Sequence, residues 1–179
     1  DNRSKWIRRA IDAFTANDDP YFSRIITWRN RTAENLNLQI RESLIDSLDS
    51  FIPGEILIAK EAVSDPNDGT VIRITTASAV EVIMSRSKEF NTNHVDPRIP
   101  ERTFPAWSLK VEDDEGLRHR ITVIEPTARD DFEAFTKEFA NHIRLNVTSD
   151  LGRHWKAYWT LVRSAANLSY KYADRKSVV

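Results

Sequence analysis

Apolar residues recur along this chain in two rhythms, a helical step of three and four near both ends and a strand step of two between them. Near the start, Ile7, Ala10, Ile11 and Phe14 mark one face of a helix over residues 4–15, with Ser4 as its cap and Lys5, Arg8, Arg9 and Asp12 on a solvated face. The polar run from Asn17 to Pro20 ends it. An apolar run at residues 25–28 is too short for a globular helix and predicts a buried strand. A basic and polar corner follows, Arg29 to Thr32. Ala33, Leu36, Ile40, Leu44 and Leu48 then form the stripe of a helix over residues 33–48, closed by Pro53-Gly54.

Beyond Gly54 the period becomes two. Strands are predicted at residues 55–63, 70–76 and 79–86, with Asp65-Pro66-Asn67-Asp68-Gly69 turning between the first two. Residues 87–105 show no clear period and carry prolines at 97, 100 and 105, as expected of a mobile arm or one side of a projecting hairpin. Residues 107–112 and 117–125 predict a further hairpin turned at Asp113 to Gly116, with Trp107 and Leu109 in the core. Short strands joined by tight turns imply a small barrel.

The helical rhythm then returns. Thr127 is the expected cap of a third helix starting near Arg129, with Asp130 at its third position, a stripe of Phe132, Phe135, Phe139 and Ile143, and an outer Glu133–Lys137 pair. Asp150-Leu151-Gly152 separates it from a fourth helix, in which Leu151, Trp155, Tyr158 and Val162 share one face. Both helices are expected to pack on a sheet built from residues 25–28 and 169–172, so that the barrel interrupts an α/β layer.

Composition narrows the chemistry. The formal net charge of -1 over 179 residues predicts no global field for nucleic acid, although local clusters remain. Zero cysteines exclude disulfides, a thiol nucleophile and cysteine-ligated metal. His94 has no ligand-like spacing near it. No signal peptide or long apolar segment is present, and a cytoplasmic protein without membrane contact is expected. The first residue is Asp1 and not methionine, consistent with a domain or a proteolytic product. The acidic pairs Asp18-Asp19, Asp113-Asp114 and Asp130-Asp131 lie at turns or a helix start, where a shared cleft with unequal environments is not expected. No catalytic residue is assigned.

The corner between the first strand and its helix carries the most chemistry, because ends of parallel strands and helix N-termini are where open α/β sheets bind phosphorylated ligands. Read from the residues alone, Asn30 or Thr32 as a cap with solvated arginines accounts for the corner equally well. As a whole, TWRNRTAENLNLQIR with the GEIL at residues 54–57 resembles the start of the second motor domain in the RecD/Dda-like branch of superfamily 1 DNA helicases. Thr27, Asn30, Asn37, Arg41, Gly54 and Glu55 carry the likeness, and Tyr170-Lys171-Tyr172-Ala173 resembles the strand before that family's Thr-x-His-Lys motif. Asp174 to Val179 departs from it.

The resemblance implies an α/β motor-domain layer, partial here, interrupted by an inserted SH3-like β-barrel. The expected boundaries are residues 1–53, a barrel over 54–125 with its arm at 87–105, and a return over 126–179. It further implies a monomeric fragment of an ATP-dependent 5′–3′ DNA helicase, with single-stranded DNA and the first motor domain as partners. In such helicases the inserted barrel and its arm help to hold the strand or engage the first motor domain. The implied nucleic-acid contacts are Thr27, Asn30 and Arg31, with Asn37 and Arg41 either joining them or bracing neighbouring loops. No loop ending Gly-Lys-Ser/Thr occurs and only 4 glycines are present, so ATP and Mg²⁺ belong to the complete parent and no cofactor is expected in this fragment. A peptide-binding SH3-like module and an independent small enzyme remain the alternatives, the first marked by exposed aromatics beside a groove, the second by a deep pocket with perturbed ionisable groups.

Overall fold

The computed structural model describes residues 2–16, 25–27, 30–45, 47, 49–171 and 173–175. The fold is α/β, with three open sheets among these residues. Helix α1 spans Asn2–Thr15, strand β1 Ile25–Thr27 and helix α2 Asn30–Leu44. β1 pairs in parallel with β9, Ala173–Arg175, in register Ile25↔Ala173. Parallel strands require a crossover, and α2 packs against both of them. Ala33, Leu36 and Ile40 bury their side chains beside Ile25, and Leu44 is partly buried there. Trp28, Arg29 and Leu48 lie outside the described residues.

Between β1 and β9 the chain forms strands β2 (Ile56–Ala59), β3 (Val63–Ser64), β4 (Ile72–Ile74), β5 (Ala79–Asn91), β6 (Thr103–Asp113), β7 (Arg118–Ile124) and β8 (Leu168–Tyr170). Five of them make one antiparallel sheet in the order β7-β6-β5-β2-β8, while β3 and β4 form a separate ribbon. The expected SH3-like barrel is not formed. β7 and β8 are the two edges of an open sheet, and among the described residues a single bridge, between Val123 and Ala166, lies beyond the named strands. Barrel closure needs a continuous staggered ladder between first and last strands, and the short β8 pairs only with β2.

Of the two expectations for residues 87–105, a mobile arm or one side of a hairpin, the structure has the hairpin. β5 runs on to Asn91 and β6 begins at Thr103, so residues 87–105 are the far half of a long hairpin. Its tip is held by fully buried Thr92, whose hydroxyl donates to Pro100 O at 2.6 Å and accepts from Arg102 N at 2.9 Å. The prolines misled the pattern because they sit in the tip and at an exposed strand position, where a missing donor breaks no inner ladder.

Strand β6 is buried on both faces, which its alternation makes explicit. Trp107, Leu109 and Val111 face a core with Phe51, Leu57, Val80, Ile121 and Tyr170. Phe104 and Ala106 face a second core under α3 (Arg129–Asn146) and α4 (Leu151–Arg163). These helices therefore cover the hairpin β5–β6 and Ile124 of β7, not the sheet of β1 that the pattern assigned them. Phe132 is the centre of that core, edge-on to Phe90 at 5.8 Å and to Phe104 at 5.3 Å between ring centroids.

The helix starts depart from expectation. Thr127 lies in a 3-10 turn over Pro126–Ala128, and α3 has no side-chain cap. Glu133 pairs with Arg129 at 3.0 Å, one turn back, and not with Lys137. Leu151 is exposed, while Ala157 and Leu161 are the buried positions of α4. Leu168–Tyr170 joins the five-stranded sheet, and the partner of β1 is the stretch just after it.

Candidate functional site

Thr27 ends β1, and Asn30 and Arg31 open α2, so the backbone places all of them at one strand-to-helix corner beside the end of β9. Their side chains are outside the described set. The backbone N–H groups of the first helical turn point out of such a corner unpaired, which is its capacity for anions.

Asn37 and Arg41 lie two and three turns further along α2, on the side that faces the rest of the molecule, and both are buried. The Arg41 guanidinium reaches Glu55, just before β2. Nε donates to Oε1 at 2.7 Å and Nη2 to Oε2 at 3.2 Å, a forked pairing that suits the planar guanidinium. Nη2 also donates to Asp49 O at 2.6 Å, and the cation sits 4.9 Å above the Tyr170 ring. Glu55 Oε2 accepts from Ile52 N at 2.8 Å. The φ of +88° at Gly54 lets the chain turn sharply enough to present Glu55, and Gly54 N donates to Val82 O at 2.7 Å.

A second chain of hydrogen bonds continues from the same ring. The Tyr170 hydroxyl donates to Ser50 O, the Ser50 hydroxyl to Glu125, and Trp107 Nε1 to the other oxygen of Glu125. Arg41, Tyr170, Glu125 and Trp107 thereby tie α2 to β8, to the end of β7 and to β6. The sequence pattern did not single out Glu125 or Ser50, and nothing in their spacing marks them.

Between α2, the start of α3 and residues 166–170 lies a cleft of about 380 Å³. Its floor is Phe51, Leu168 and Tyr170, and Asn37, Lys60, Arg129 and Glu133 bring polar groups to it. Arg129 and Glu133 are already paired there. Of the acidic pairs, Asp113 is taken up by the β6–β7 turn and by His119 Nε2 at 2.8 Å, Asp130 and Asp131 stand in the first turn of α3, and Asp18-Asp19 lies outside the described residues. Among the described residues no group of three or more His, Cys, Asp or Glu could hold a metal ion. The sequence has no phosphate loop, so the residues present do not fit an ATP–Mg²⁺ site, and no step is derived through one. No helix of the described residues is long and apolar enough to cross a membrane.

Over 114 residues, 60% of this chain, the sequence is 27% identical to a protein named ATP-dependent DNA helicase dda, from Enterobacteria phage T4. The aligned part spans 26% of that protein's length. No family model matches the chain. This is a weak, distant and partial similarity to a phage helicase, and it corrects the assignment to the RecD/Dda-like branch of superfamily 1: the similarity does not reach that placement, and the open sheets contradict the SH3-like insert that formed part of it.

Proposed function

We propose that this chain is a part of an ATP-dependent DNA helicase, that its β1–α2 corner contributes single-stranded DNA contacts, and that the α2 junction couples those contacts to the rest of the motor. The observation that carries this reading is the 27% identity over 114 residues to the phage helicase. The parallel β1–β9 pair with α2 across it supports it, because a strand-to-helix corner offers donors to phosphates without reading bases. In this reading Thr27, Asn30 and Arg31 hold the phosphates. Asn37 and Arg41, buried on the same helix, hold the corner against the five-stranded sheet, so that a pull on the strand is transmitted through Arg41–Glu55. ATP binding and hydrolysis then rest on residues outside this sequence, together with the first motor domain as partner.

The test uses the complete polypeptide that contains this chain. Single-stranded DNA is expected to stimulate its ATP hydrolysis, and Arg31→Ala is expected to weaken binding to unrelated single strands alike, lowering the slope of log K against log salt by about 0.7. The 179-residue chain by itself is expected to show no ATP turnover. Unchanged affinity and slope in folded Arg31→Ala protein would remove the corner from the DNA path.

A further inference from the structure

Far from the α2 corner, a polar pocket of about 80 Å³ opens beside the β7 edge, where the β3–β4 ribbon and the end of α4 meet. Arg73, Arg120 and Arg163 line it, along with the hydroxyl-bearing Ser64, Thr122 and Ser164. The space is several times the about 10–15 Å³ that one ordered water needs. Three guanidinium groups around a small polar space repel one another, and such an arrangement is stabilised by an anion.

Two further observations point to a ligand. Arg163 Nε is buried without a hydrogen-bond partner among the described residues, and an unmet donor on a charged group is costly unless an acceptor arrives. The carboxylates that reach these cations are Asp65, paired with Arg73, and Asp68, whose charge reaches Arg163. Asp65 uses one oxygen for Arg73 and the other for its own turn, and Asp68 is taken up by its turn, so Arg120 and Arg163 are left without a carboxylate in an ion pair among the described residues. Asp65 accepts from Asn67 N and Asp68 N at 2.8 and 3.2 Å, and Asp68 accepts from Thr70 N and Oγ1 at 3.0 and 2.7 Å.

The positive charge continues outward from the pocket. Cross-strand register sets Arg120 opposite Lys110 and Lys110 opposite Met84, and the next row is Thr122, Ser108 and Arg86. Lys88, one position on, donates from Nζ to Thr122 Oγ1 at 2.8 Å. These two rows carry no carboxylate; in the row beyond, Arg118, Glu112 and Glu81, the first two pair at 2.7 Å. A lone phosphate would need only the pocket, whereas the extended row of cations matches a chain of phosphates.

We propose that Arg73, Arg120 and Arg163 form an oxyanion site that holds one backbone phosphate of a nucleic-acid strand laid across β7, β6 and β5 towards Arg86. The site is separate from the β1–α2 corner and does not depend on the helicase reading. Contact is to phosphates, so the site is indifferent to base sequence.

Fluorescence anisotropy of the chain with a labelled oligothymidylate, from about 50 to about 200 mM salt, tests this directly. Binding is expected to weaken with salt, and Arg120→Gln, Arg163→Met and Lys110→Gln, at a half-buried position, are each expected to reduce affinity several-fold and the salt slope by about 0.7. Gly69→Ala is a probe without a charge change: its new Cβ would stand 2.6 Å from Arg163 Nη1, so the guanidinium must leave its place and affinity is expected to fall. Circular dichroism confirms folding; if Arg163→Met does not fold, Lys110→Gln and Gly69→Ala decide. Unchanged affinity and slope in those variants, equal binding of an uncharged methylphosphonate strand, or binding of inorganic phosphate without binding of the oligonucleotide would each overturn the proposal. Because Arg31 plays no part here, Arg31→Ala fails or succeeds independently.

Discussion

Two sets of helices are fastened to the same five-stranded sheet, one by charge and the other by aromatic packing. α2 is held through the buried Arg41–Glu55 pair and the Tyr170 ring, whereas α3 and α4 lie on Phe90, Phe104 and Ile124, an apolar and aromatic core with the Arg102 and Arg129 guanidinium groups over rings at its margin. Aromatic packing is stable but indifferent to small rotations, because dispersion has no strong direction. A forked guanidinium–carboxylate pair fixes angle and register, and its desolvation makes it a poor source of net stability. The difference teaches that α2 is positioned more than it is glued, which is what a helix opening onto a proposed binding corner requires.

Single substitutions do not separate the two fastenings; paired ones do. Phe132→Ala and Glu55→Ala are each expected to cost about 3–5 kcal/mol in urea unfolding, the first by leaving a cavity, the second by stranding the buried Arg41 charge. Adding Arg41→Met to a Glu55→Leu chain is expected to restore stability to about that of the parent or above it, since both charges are then gone. If the doubly substituted chain stays as unstable as Glu55→Ala, the pair is a source of stability and the contrast fails.

A smaller effect sharpens the same contrast at the seam between the cores. Trp107→Phe keeps the ring against Phe51, 6.0 Å away, but removes the donor to Glu125. A loss of about 1.5–3 kcal/mol is expected, as for a hydrogen bond to a charged group. A loss no larger than the change in buried area would show that Glu125 is satisfied by Ser50 alone.

The smallest effect lies outside both fastenings. Asp113 is held below the ordinary carboxylate value of 3.8 by the His119 hydrogen bond, with help from Leu117 N and Glu115 N against the opposing effect of burial. A carboxylate depressed in the folded state contributes stability that is complete above the unfolded value and is lost as pH falls through the folded one. Asp113→Asn is therefore expected to flatten the acid limb of the stability curve below about pH 4 and to leave its shape at neutral pH unchanged. Parallel urea titrations at several acid pH values measure it.

The elements were legible where one period dominated. The stripe Phe132, Phe135, Phe139, Ile143 and the alternation around Leu109 specify their helix and strand without outside help, because each face meets one core. What covers each face was not legible. Phe104 and Trp107 lie on opposite faces of β6, and no local pattern states that helices lie over one of them. Sheet closure was hidden for a related reason: short strands with tight turns suit an open sheet and a barrel equally, and only the pairing of β8 decides. At the candidate site Arg41 and Glu55 were visible as residues, but a pair separated by 14 positions is set by tertiary folding alone. The arginines at 73, 120 and 163 are further apart still, and nothing in their spacing marks a shared site.

The parallel pairing of β1 with β9 also orders events during synthesis. Ile25 finds its partner Ala173 only after nearly all of the described chain has been made, and Leu57 likewise waits for Tyr170. The hairpins β5–β6 and β6–β7 join near neighbours and carry little loop-closure cost, so they and α3 form first. Until β9 arrives, α2 has no crossover to span and Arg41 no Tyr170 to rest on. A nascent chain thus carries a completed hairpin core with an unfinished N-terminal layer, which leaves the backbone of β1 open to a chaperone or to another chain.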